Sequence, residues 1–168
     1  MLRFREIKDA RAAEAYFGKA DGGYYLDGSE LHREVGGKGA ELLGLAQTPD
    51  FEQFSRLLRG LDPHTGEQLT AKLVEGRVVA RDVTASVPKG VTLALERGDE
   101  RVHDLIWDAG RKAMADLEAY STARVRKGGR QEDRRTDNLI WYGWEHPETR
   151  PNREDGMPDP DRTSTSSS

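Results

Sequence analysis

The sequence predicts an α+β fold, an antiparallel sheet with helices packed on it, and three observations carry that prediction. A loosely alternating start runs straight into a helix signal, a β-branched stretch fills the middle of the chain, and one apolar stripe at helical spacing follows it. Residues 2–8 set Leu2, Phe4, Glu6 and Lys8 against Arg3, Arg5 and Ile7 and read as a short strand; Asp9 then caps a helix running to Phe17. Gly22-Gly23 breaks that helix. The glycine-rich, polar residues 24–39 read as an irregular loop, and Ala40-Glu41-Leu42-Leu43-Gly44-Leu45 as a short helical turn. Phe51, Phe54, Leu57 and Leu58 share one face of another short helix, and Pro63 to Gly66 makes a turn.

From Leu69 to Leu95 the β-branched Val74, Val78, Val79, Val83, Thr84, Val87, Val91 and Thr92, divided by Glu75-Gly76 and by Pro88-Lys89-Gly90, predict a hairpin. Val102, Leu105, Ile106, Ala109, Ala113, Leu117 and Tyr120 form the apolar stripe of the longest helix, expected from Asp99 to about Arg126 and ended by Gly128-Gly129. Residues 136–144 read as a last strand. Beyond Pro147 no structure is expected, because Arg162-Thr163-Ser164-Thr165-Ser166-Ser167-Ser168 is a low-complexity, hydroxyl-rich tail with no apolar surface to bury.

Composition limits the core and the class. Hydrophobic residues are 35% and charged residues 33% of 168, with no cysteine, so disulfides and thiolate metal sites are excluded and the expected compartment is the cytoplasm. No segment has the apolar length of a signal peptide or a membrane span. A net charge of −4 argues against binding nucleic acid through the overall field, yet the charge is uneven. Arg124, Arg126, Lys127, Arg130, Arg134 and Arg135 face only Glu132 and Asp133 in one short stretch, which reads either as a solvated helix end or as a phosphate-tracking patch.

Three phenols come early, Tyr16 at the end of the first helix and Tyr24-Tyr25 a short loop later. Spacing alone favours half-buried packing residues for them. The chemistry that would use them is covalent catalysis, with a phenolic oxygen attacking an activated electrophile.

Ala15-Tyr16-Phe17, Gly23-Tyr24-Tyr25-Leu26-Asp27-Gly28 and Gly37-Lys38-Gly39-Ala40-Glu41-Leu42-Leu43-Gly44-Leu45 occur in that order. Together they resemble the start of the MobF-family conjugative relaxases, the TrwC and TraI class. Arg81 to Gly90 resembles that family's D-L-T-F-S-A-P-K-S segment, and Asn138-Leu139-Ile140 precedes His146 as N-L-V precedes its first metal histidine.

The resemblance implies a two-layer, palm-like relaxase fold that nicks and covalently captures single-stranded plasmid DNA at a transfer origin. It implies that Tyr16 is the attacking nucleophile, that Tyr24 acts in strand transfer with Tyr25 as an additional tyrosine, and that Asp82 assists proton removal and orients a metal-bound histidine. His146 becomes the first of three imidazole ligands to a divalent cation, magnesium or manganese. The local charge pattern, apart from the resemblance, makes Arg124, Arg126, Lys127 and Arg130 the candidate DNA contacts. A monomer is expected.

The departures from the family pattern bear on activity. Phe17 replaces the second tyrosine of the first pair, and no histidine follows His146, so the H-x-H pair of metal ligands is missing. The expectation is a truncated relaxase, inactive alone, with residues 1–146 forming the N-terminal part of the domain and residues 147–168 a disordered tail. Inserting one cytosine before the Arg162 codon turns one permitted coding of Asp161–Ser167 into Asp-Pro-His-Leu-His-Val-Val, which makes a frameshift one account of the tail. Two other readings stand beside this one. One is a noncatalytic single-stranded DNA binder using the basic stretch, with Trp141, Tyr142 or Trp144 for base stacking. The other is a nonfunctional remnant of a mobile element.

Overall fold

A computed structural model describes residues 2–20, 32–48, 50–70, 73–127, 130–146 and 163–167. Its elements in chain order are β1 (Leu2–Ile7), α1 (Ala10–Ala20), β2 (Arg33–Gly36), α2 (Lys38–Leu42), α3 (Phe51–Leu58), β3 (Ala80–Ser86), α4 (Lys89–Glu96), α5 (Glu100–Ala119), β4 (Thr122–Lys127), β5 (Arg130–Arg135), β6 (Trp141–His146) and β7 (Thr163–Ser167). Five strands form an antiparallel sheet in the order β1-β3-β7-β6-β2, and β4 pairs with β5 as a separate hairpin. The antiparallel α+β class is as expected from the sequence.

Local chemistry sets the helix starts. The Asp9 carboxylate accepts from the amides of Arg11 and Ala12 at 2.9 and 3.2 Å, and Asp50 does the same for Glu52 and Gln53, satisfying donors that the first turn of a helix leaves open. Pairing of β1 with β3 sets Ile7 opposite Ala80, and on that face of the sheet Ala80, Val35, Tyr142 and Trp144 meet Ala13 and Phe17 of α1, Ala40 of α2, and Phe54 and Leu58 of α3. Phe17 stacks on Trp144 at 5.0 Å and meets Phe54 edge-on at 5.6 Å. The Glu14 carboxylate accepts two hydrogen bonds from the Arg59 guanidinium, both at 2.7 Å, and one from Ser55 at 2.8 Å, tying α1 to α3. The other face packs on α5, where Trp107 closes over Gly143 so tightly that a Cβ on that glycine would lie 2.9 Å from the indole.

α2 explains the Gly37-Lys38-Gly39 motif. Gly37 adopts φ +94°, and a Cβ there would stand 2.3 Å from the Leu139 carbonyl oxygen, so only glycine fits. The Gly39 amide donates to that same carbonyl at 2.9 Å. Glu118, near the end of α5, accepts from the Lys38 amide at 2.7 Å and from the Leu139 amide at 2.9 Å, binding the start of α2 and the approach to β6 to one carboxylate.

Several expected elements differ. The hairpin expected between Leu69 and Leu95 is one strand, β3, followed by α4, because Pro88 takes an extended conformation (φ −63°, ψ 148°) at the helix N-cap and Val91, Thr92 and Leu95 then recur at helical spacing. The longest helix ends at Ala119 rather than near Arg126. Its apolar stripe has no large apolar residue beyond Tyr120, and residues 122–135 form the β4–β5 hairpin, with Lys127 paired to Arg130. Gly128-Gly129, expected to stop the helix, lie outside the described residues. β2 emerges from the stretch expected to be an irregular loop, and the last expected strand starts at Trp141 because Asn138 to Ile140 pack on α2. Of the tail, residues 163–167 are a strand in the middle of the sheet, between β3 and β6, where the composition led to none.

Candidate functional site

Consecutive helical residues point about 100° apart, and α1 uses that angle to separate Tyr16 from Phe17. Phe17 is 1% exposed in the core, and Tyr16, its ring edge-on to Phe17 at 5.0 Å, is 61% exposed. The residue that replaces a tyrosine in the family pattern is therefore a core residue, and the phenol kept beside it is available to solvent.

Asp82 sits in β3 opposite Arg5 of β1, on the sheet face that carries Ala80 and is covered by α1 and α3. It is half-buried, and its Oδ1 has no hydrogen-bond partner among the described residues. Burial pushes its carboxyl above the usual aspartate value, and the Arg5 guanidinium partly opposes that shift. A carboxyl held this way takes up a proton more readily than a free one, as a proton acceptor requires.

His146 ends β6, level with Thr163 of β7 and, across it, with Ser86 of β3. Its backbone position lies four residues from that of Asp82 along the strands, a displacement of roughly 14 Å at the usual rise per residue. The other imidazoles are elsewhere. His64 Nε2 bonds to the Leu43 carbonyl at 2.7 Å; His103 Nε2 lies 3.1 Å from Glu145 on the α5 face; and His32 packs against Trp107 with ring centroids 4.3 Å apart. No cluster of three or more metal-binding side chains exists among the described residues. The chain's four histidines bring at most one imidazole to the Asp82 face, and β7, which runs between Asp82 and His146, carries only serine and threonine. The residues present do not fit a three-imidazole cation site.

Tyr24 and Tyr25 lie outside the described residues. Arg124, Arg126, Lys127 and Arg130 occupy the β4–β5 hairpin as backbone positions, with Arg124 opposite Asp133 and Arg126 opposite Gln131. The basic stretch is a two-stranded ribbon, where the sequence suggested a helix end. The aromatics considered for base stacking are core residues: Trp141, Tyr142 and Trp144 are 7, 3 and 5% exposed. Sequence reasoning missed the α5-to-sheet polar contacts, His103 with Glu145 and Arg111 with Glu34 at 2.9 Å, whose partners lie 42 and 77 residues apart with no local pattern to join them.

Residues 10–162 match the TrwC relaxase family model. The chain belongs to the TrwC relaxase family. It is 34% identical over 154 residues to the multifunctional conjugation protein TraI of Escherichia coli, and 32% identical over 154 residues to TraI of strain K12. Each match takes in 89% of this chain and 8% of the relative. Among solved structures, the conjugative relaxase TrwC in complex with oriT DNA, metal-free, is similar with a TM-score of 0.78 at 25% identity, covering 99% of this chain and 55% of that one. The metal-bound TrwC–oriT structure gives 0.76 at 28% identity, covering 99% and 56%. The chain thus spans under a tenth of the curated relatives it matches and just over half of the solved TrwC chains. No helix among the described residues is long and apolar enough to cross a membrane.

Proposed function

We propose that residues 1–146 are the N-terminal part of a TrwC-type relaxase domain that engages single-stranded DNA at a conjugative transfer origin, with Tyr16 as its nucleophile. The observation that carries this reading is the exposure of Tyr16 beside a fully buried Phe17, on the helix that covers the Asp82 face. In the reaction Tyr16 Oη would bond to the scissile phosphorus, the DNA 3′ oxygen would leave, and the phenolic proton would pass to a base, the role assigned to Asp82. Tyr24 and Tyr25 are the further tyrosines for strand transfer. His146 is the one retained imidazole, and Arg124, Arg126, Lys127 and Arg130 are the phosphate contacts.

A metal-bound TrwC structure supports a divalent cation in the family, and magnesium or manganese as the phosphate activator is our reading of its role. This chain supplies too few imidazoles to hold one, so we assign it no strand cleavage by itself. The test is incubation with an oriT oligonucleotide and manganese or magnesium, followed by denaturing electrophoresis. No covalent adduct is expected. A Tyr16-dependent adduct, lost in Tyr16→Phe, refutes the assignment.

The basic ribbon favours a second reading, noncatalytic binding of single-stranded DNA. Retention of the same oligonucleotide that weakens steeply with salt supports it, and the absence of any salt-sensitive binding rules it out.

A further inference from the structure

β1 is an edge strand whose neighbour in the sheet is β3, and alternation along it divides its charged residues between two faces. On the face turned to α5, Glu6 is paired directly with Arg81 and their side chains meet at 3.7 Å, so the two charges offset each other. On the face that carries Ala80, Arg3 is opposite Thr84 and Arg5 is opposite Asp82. Both arginines are exposed, and neither makes a hydrogen bond or ion pair among the described residues. Two guanidiniums therefore stand against one carboxylate, two residues apart on one strand, which is roughly 7 Å at the usual rise. Arg5 is close enough to Asp82 for its charge to hold back the rise that burial gives that carboxyl.

A protein of net charge −4 does not draw a polyanion through its overall field, so a phosphate has to be met by a local excess of positive charge. A phosphodiester brought to the Asp82 face meets at most one imidazole there, since the chain has four histidines and three of them are held elsewhere. A guanidinium supplies fixed charge in such a place: it stays protonated across the working pH range and presents a planar fork of donors to phosphate oxygens.

We propose that Arg3 and Arg5 of β1 form a metal-independent clamp for successive phosphates of a single DNA strand, drawing its backbone along the Asp82 edge of the sheet. The clamp rests on the reading of the chain as a domain that engages single-stranded DNA, and it adds a second set of backbone contacts beside the β4–β5 ribbon. Phosphate contacts fix position and carry no base preference, so the clamp acts on any sequence. Charged side chains on an edge strand also block edge-to-edge pairing, a role that leaves DNA affinity untouched.

The whole chain, with a chelator present, is titrated at several salt concentrations with a single-stranded oligothymidylate long enough for one site. Each phosphate contact to a single strand adds about 0.7 to the slope of log affinity against log salt, so Arg3→Gln with Arg5→Gln lowers that slope by about 1.4 and weakens binding about 25-fold at about 0.1 M salt. Arg5→Gln alone lowers it by about 0.7, which keeps the test open if the double variant is destabilised. Arg3→Lys with Arg5→Lys keeps both charges and keeps the slope, and Arg81→Gln, on the opposite face, leaves it as in the parent. A slope unchanged in the glutamine variants, or lowered equally by Arg81→Gln, overturns the clamp while DNA binding stands. No binding of the oligothymidylate by the parent chain refutes the DNA-binding reading itself, and the clamp falls with it.

Discussion

Truncating Phe17 to alanine tests the packing that turns Tyr16 outward. The Phe17 ring is 1% exposed and contacts Trp144 and Phe54 through one stacked and one edge-on pair. Removing a buried phenyl costs about 3–5 kcal/mol, and two aromatic pairs each worth about 0.5–1.5 kcal/mol beyond their area place this site in the upper half of that range. Against a total of about 5–15 kcal/mol, this is a large share of the stability. With a urea dependence of about 2 kcal/mol per molar, the unfolding midpoint falls by about 2 M, read from tryptophan emission at equilibrium. A loss below about 1.5 kcal/mol would refute the placement of Phe17 at the centre of the core. The neighbouring change Tyr16→Phe, at a 61% exposed position, moves stability by no more than about 0.5 kcal/mol, so adjacent aromatic positions are distinguished in one assay.

Three further outcomes follow from other sites. Tyr142 is buried with a hydroxyl that has no partner among the described residues, so Tyr142→Phe leaves stability unchanged or raises it by up to about 1 kcal/mol in the same unfolding assay; a loss above about 1 kcal/mol counts against an unsatisfied hydroxyl. Because burial raises the Asp82 carboxyl, the folded state binds more protons than the unfolded chain between the ordinary aspartate value and the raised one, and stability falls as pH rises through that window. Asp82→Asn flattens that fall in unfolding curves taken from about pH 4 to about pH 7, and a slope equal to the parent's would exclude desolvation of Asp82 as its cause. Asp50→Ala removes the N-cap of α3 and costs about 1 kcal/mol by urea unfolding, while a cost near zero shows that the cap is replaced by water.

Where the determinants are local, the sequence was readable. Asp9 caps a helix that begins where that residue predicts, and Phe54 and Leu58 bury the face that the periodicity of α3 assigns. The misreadings come from residues whose local preference is overruled by what lies across the fold. Val91 and Thr92 favour strands, but after Pro88 they serve α4, where Thr92 is 2% exposed. β2 is polar and glycine-bounded, and only its pairing with β6 makes it a strand. β7 carries no periodic signal at all, since hydroxyl residues occupy both faces; its place follows from the open rims of β3 and β6. Motif resemblance singles out Tyr16 and Asp82 as candidates, whereas the burial of Trp141, Tyr142 and Trp144, which no local pattern announces, depends on α1, α3 and α5 closing on both faces of β6.

The carboxylate of Glu118 gives this fold an assembly order. It accepts from the Lys38 amide, so the first turn of α2 gains that anchor only after the chain has been made as far as residue 118. At a synthesis rate of about 5–20 residues per second, the Lys38 amide waits roughly 4–16 s after its own translation for it. During that interval the amino-terminal third exists as nascent chain without its lock, and binding by a ribosome-associated chaperone would have its widest opening there.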